Sequence, residues 1–99
     1  MTREITLHPE AEAEAEVLQA LEWYVQRSPL ATRAFVHELT SVIRLAARSP
    51  MTWPRAFGNT RHILFPRFPF DLVFRLKSDE IEIVAVAHQR RRPSYWKDR

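Results

Sequence analysis

The sequence predicts an α+β domain of order β-α-α-β-β-β, with a helical hairpin packed on one face of a small antiparallel sheet. Two stretches between residues 17 and 46 carry apolar residues at three- and four-residue steps, and a short Ser-Pro link joins them. Beyond residue 60 the apolar period changes to two. A turn-rich segment holding the one glycine of the chain separates the two regimes. At 99 residues and 45% hydrophobic content, the chain supports one modest core and is read as a single domain, 1–99.

Arg3 to Leu7 alternates polar and apolar residues and reads as a first strand. His8-Pro9 opens the first helix, proline suiting the first helical position because its missing N–H would have no intrahelical partner. Alanine and glutamate alternate from Ala11 to Glu16; both are good helix formers and poor strand formers, so helix is expected. Val17, Leu18, Leu21, Tyr24 and Val25 form its apolar stripe, and Glu12, Glu14 and Glu16 are read as a solvated face. Ser28-Pro29 caps a second helix with the stripe Phe35, Leu39, Val42, Ile43 and Ala46, and Ser49-Pro50 ends it. Trp23 is expected in the core. Residues 50–60 are a loop anchored by Trp53 and Phe57, with Gly58-Asn59 as a tight turn.

His62 to Phe65 is a strand limited by Pro66 and Pro69, which suits an edge. Phe70, Leu72, Phe74 and Leu76 alternate with Asp71, Val73 and Arg75 in the next. After the turn Lys77-Ser78-Asp79-Glu80, strict alternation places Ile81, Ile83, Ala85 and Ala87 on one face and Glu82, Val84, Val86 and His88 on the other. Pro93 ends the sheet region and a short tail follows.

Cysteine is absent, which excludes disulfides and thiolate metal sites and fits a cytoplasmic protein. No apolar run reaches bilayer length, and the N-terminus lacks the pattern of a secretory signal. One glycine cannot build a phosphate-binding loop, and the four histidines lack close ligand spacing. No serine lies in a nucleophile elbow. Neither a cofactor, a metal nor a small-molecule substrate is therefore expected. Charge is unevenly placed: residues 1–49 hold five Arg against seven Glu, whereas residues 50–99 hold ten Lys or Arg against five Asp or Glu. A basic C-terminal half attracts a nucleic acid or an acidic protein.

The segment from Val84 to Trp96 concentrates the candidate chemistry. His88 stands where the last strand meets Arg90, Arg91 and Arg92, and an imidazole exchanges protons near neutrality. Arginine offers planar, permanently charged contacts to phosphate or carboxylate. Arg61, Arg67 and Arg75 could extend the patch, although alternation sets Arg75 on the face of Asp71, where its charge would be partly spent. Tyr95 and Trp96 either close the edge of the core or stack on a ligand.

The element order, His8-Pro9-Glu10-Ala11, Ala34-Phe35, Arg67-Phe68-Pro69-Phe70 with Leu72-Val73-Phe74-Arg75-Leu76, and Val84 through Pro93 together resemble the RelE/ParE superfamily of toxins from type II toxin–antitoxin modules. The resemblance covers nearly the whole chain. It implies a small toxin held inactive by a cognate antitoxin. RelE-like members cut mRNA on the ribosome, using basic residues and often a C-terminal tyrosine or histidine; ParE-like members inhibit DNA gyrase and lack the nuclease residues. Asp71 stands where RelE-like chains commonly place an arginine, and the loop 50–60 offers only Arg55 where such nucleases tend to use lysines. The nearer likeness is thus ParE-like. Three functions remain open: a gyrase-binding toxin, a ribosome-dependent endoribonuclease using His88, Arg67, Arg90 and Tyr95, and a degenerate toxin kept as an interaction module. For partner or target binding the candidates are Arg75, Arg90, Arg91, Arg92 and Trp96.

Overall fold

The computed structural model describes residues 4–7, as a strand, and residues 12–99. Its order is β1 (Glu4–Leu7), α1 (Glu12–Val25), α2 (Pro29–Arg48), a single 3₁₀ turn (Pro50–Thr52), β2 (Arg61–Leu64), β3 (Phe70–Lys77) and β4 (Glu80–His88). The expected helix start at His8-Pro9 lies outside the described residues. The Ser28 side chain accepts the Ala31 N–H at 3.1 Å, with Pro29 in the first turn, as the sequence predicts. Ser49 closes α2, its N–H donating to Leu45 O.

The sheet order is β1-β4-β3-β2. Strands β2, β3 and β4 are antiparallel neighbours, as expected, whereas β1 lies parallel to β4 with Leu7 opposite Ile83. A parallel pair needs a long crossover, and the helical hairpin supplies part of it. The main core lies between the helices and one face of the sheet: Ala13, Ala20, Phe35, Val42 and Ala46 pack with Ile63, Phe65, Phe70, Leu72, Phe74, Ile81, Ile83 and Val86. Phe35 sits at its centre, within 6 Å, ring to ring, of Tyr24, Phe65, Phe68 and Phe70.

A β-bulge overturns the strict alternation expected in β4. Val73 pairs with Ala85 but Phe74 with Ile83, leaving Val84 as the extra residue. Past it the parity reverses. Val86 joins the helix-side core, while Val84, Ala85 and Ala87 form a second cluster with Val73 on the opposite face. The C-terminal tail covers that cluster: Trp96 is buried in it and Tyr95 packs alongside.

Four packing expectations need correction. Leu18 and Val25 are exposed, because α1 turns Ala13, Glu16 and Ala20 inward instead. Trp23 is 54% exposed and lies beneath the Arg27 guanidinium rather than in the core. Phe57 is exposed; Trp53 alone of the pair packs on the core, its indole N–H donating to Leu45 O. Glu16, read as part of a solvated face, is buried. Among the described residues no helix is long and apolar enough to cross a membrane.

Candidate partner-binding groove

Among the described residues, register with β1 reaches as far as Ile83 on β4, and further along that edge the backbone groups find other partners. Glu16 on α1 answers part of the need: its Oε1 accepts the Val86 N–H at 3.0 Å. The tail supplies more, with Arg99 Nη1 donating to Val84 O at 3.1 Å. Arg99 also forks onto Glu16, Nη1 to Oε1 at 3.0 Å and Nη2 to Oε2 at 3.1 Å, while its Nε bonds Glu12 at 2.8 Å. The Tyr95 hydroxyl donates to Glu16 Oε2. Burial, then the hydrogen bond and charge of Glu16, raise the Tyr95 pKa well above the ordinary phenol value, against the opposing pull of Arg91 and Arg99. For Arg99, burial works to lower the pKa, but Glu16, Tyr95 and Glu12 outweigh it and raise the value. Arg91 stacks over the Tyr95 ring at 3.8 Å.

This ionic cluster forms one flank of a groove of about 600 Å³. Helix α1 contributes Ala20, Trp23 and Tyr24, the sheet contributes Phe70 and Val86, and the strand end brings His88, Arg90 and Arg91. The His88 ring packs edge-on against Phe70, 5.1 Å between centroids. Its Nδ1 accepts the Arg90 N–H at 3.0 Å, which leaves the proton of the neutral ring on Nε2. A second helix carboxylate braces the far side. Glu38 Oε1 accepts the N–H groups of Arg67 and Phe68 at 2.8 and 3.1 Å, fixing the β2–β3 loop, and Pro69 O then accepts the Gln89 N–H.

The sequence-predicted residues separate on this frame. His88, Arg90, Arg91 and Tyr95 meet at the groove. Arg92 turns away from it and lines, with Arg91, a smaller hollow of about 320 Å³ on the opposite face. Arg67 is exposed on its loop and does not line the groove. Arg75 is far along the sheet and is spent on Glu82 at 2.8 Å and on Arg99 O at 3.0 Å, not on Asp71 as alternation suggested. Asp71 instead holds His62, whose Nδ1 is 3.0 Å from both carboxylate oxygens; burial raises the Asp71 pKa despite that partner. Arg61 caps the loop by donating to Trp53 O at 2.7 Å. Trp96, read both as a closure of the core edge and as a partner-binding candidate, is buried because the tail folds back over the bulged strand.

Sequence reasoning missed Glu16, Glu38 and Arg99. The signal for Glu16 was present: Ala13, Glu16 and Ala20 stand at steps of three and four, so a helix burying the two alanines buries the glutamate between them.

No family model matches the sequence, and no curated protein matches it. Among solved structures, a chain from the chromosomal ParDE TA system from P. aeruginosa superposes with a TM-score of 0.73, covering 88% of this chain and 96% of that one at 19% identity. The two chains share a fold. It is an α+β fold, the class that the sequence predicted, and the likeness covers most of both chains. At this identity it concerns the backbone; the groove chemistry is read from the residues of this chain.

Proposed function

We propose that the chain is the toxin of a type II toxin–antitoxin module, a ParE-like cytoplasmic protein that arrests growth by binding DNA gyrase and is neutralised by a cognate antitoxin. The observation that carries this reading is the fold shared with a chain of a ParDE TA system. The groove supports binding as its mode of action. Apolar surface from Ala20, Trp23 and Phe70 lies beside Arg90 and Arg91, a combination suited to a partner segment that presents apolar and acidic side chains together. Such an antitoxin segment would order itself on docking.

The endoribonuclease reading draws less support. Cleavage needs a base and an acid poised near the phosphate. The Tyr95 phenol is committed to Glu16 and resists ionisation, and among the described residues Arg90 and Arg91 are the cations that border His88 in the groove. Purified protein should inhibit gyrase supercoiling at micromolar concentration, and induced expression should arrest growth with transcripts intact by primer extension. Transcripts cut during arrest would reverse the choice; growth without any defect would leave only the interaction-module reading.

A further inference from the structure

We infer that Arg99 is a positioning residue for the groove: by occupying the acceptor sites of Glu16 it leaves Arg91 available to an acidic group on a partner. The inference rests on reading the groove as a partner site. A carboxylate offers about four lone-pair sites. Among the described residues four donors are in place on Glu16, the Val86 N–H and Arg99 Nη1 on Oε1, the Tyr95 hydroxyl and Arg99 Nη2 on Oε2. Arg91 Nη1 stands 4.0 Å from Oε2, about 1 Å beyond charge-assisted bonding distance. What holds Arg91 is the face of the Tyr95 ring, and stacking fixes a guanidinium plane while leaving its N–H edges to other acceptors. Its side chain is 52% exposed.

Arg99 itself does not line the groove, and its side chain is only 11% exposed between Glu12, Glu16 and Val84 O. It therefore acts through Glu16. Without the Arg99 side chain, each oxygen of a buried carboxylate loses a donor, and Arg91 is the cation already beside it. Arg91 then turns inward onto Glu16, and the groove loses one of its two arginines that would read a carboxylate.

The test is the rate at which phenylglyoxal modifies Arg91, read by peptide mass spectrometry in the wild type, Arg99→Ala, Arg99→Lys and Arg99→Ala/Glu16→Gln. Arg91 modification should fall about tenfold in Arg99→Ala, recover in part in Arg99→Lys, and return to the wild-type rate in the double variant. A merely structural Arg99 would loosen the tail and expose Arg91, so faster or unchanged modification in Arg99→Ala overturns the inference. A second arm titrates the same variants with a synthetic peptide of alternating leucine and glutamate. Peptide affinity that tracks Arg91 reactivity supports the inference. Arg91 protected with peptide affinity unchanged keeps the Glu16 coupling but rejects the groove as the acidic partner site.

Discussion

Glu16 on α1 and Glu38 on α2 are buried glutamates that face the same sheet, yet they are satisfied in different ways. Glu38 gathers two backbone N–H groups of one loop on a single oxygen. Glu16 spreads its load over both oxygens and draws on a strand amide, a phenol and an arginine fork from the tail. Each also lifts a neighbouring tyrosine, Tyr24 beside Glu38 and Tyr95 beside Glu16, although burial is the larger cause in both. A carboxylate met by backbone amides braces a loop. One met by side-chain cations ties three separate parts of the chain together and sets which charges remain outward. The difference separates the rigid side of the groove from its charged side.

The larger loss is expected at Glu16. Glu16→Ala strips Arg99 of its main counter-ion and leaves the Val86 N–H without an acceptor, so urea unfolding should show a loss of about 3 kcal/mol or more. Glu38→Ala removes two amide bonds to a charged acceptor and should cost about 2 kcal/mol, with faster hydrogen exchange confined to Arg67, Phe68 and the loop they start. A larger loss at Glu38 than at Glu16 would invert the assignment of roles.

The smallest effect is spectroscopic. The chain has two tyrosines, so ultraviolet titration can resolve both. Each folded pKa lies above the ordinary 10.0, which means the stability each proton confers is fully present below pH 10 and is lost as pH rises through the folded value. Tyr24 should ionise first and Tyr95 last, and Glu16→Gln should bring Tyr95 down while leaving Tyr24 in place. Simultaneous ionisation of the two would show that the carboxylates are equivalent after all.

How much of this was legible in the sequence depends on the element. The caps at Ser28 and Ser49, the period of three to four in α2 and the period of two in β3 each report a local preference that packing then honours. Parity in β4 was not legible, because a bulge at Val84 depends on pairing with β3 and leaves no mark on Ile-Val-Ala-Val-Ala. That one shift puts His88 on the helix side and sends the neighbouring alanines to the tail side. The Arg90–Arg92 run was visible as charge, but a turn at the strand end divides it between two faces. Arg75 and Arg99 were equally visible as cations. Only the fold shows that Glu82 consumes the first and Glu16 the second, since each pair is closed by tertiary structure.

Under the function proposed above, the groove flanked by Arg90 and Arg91 receives the antitoxin. The decisive measurement is isothermal titration of the cognate antitoxin against the wild type and Arg90→Glu/Arg91→Glu, at low and high salt. Affinity should fall at least tenfold at low salt in the variant, with a shallower salt dependence. Equal affinity and an equal salt dependence would mean that the antitoxin docks elsewhere.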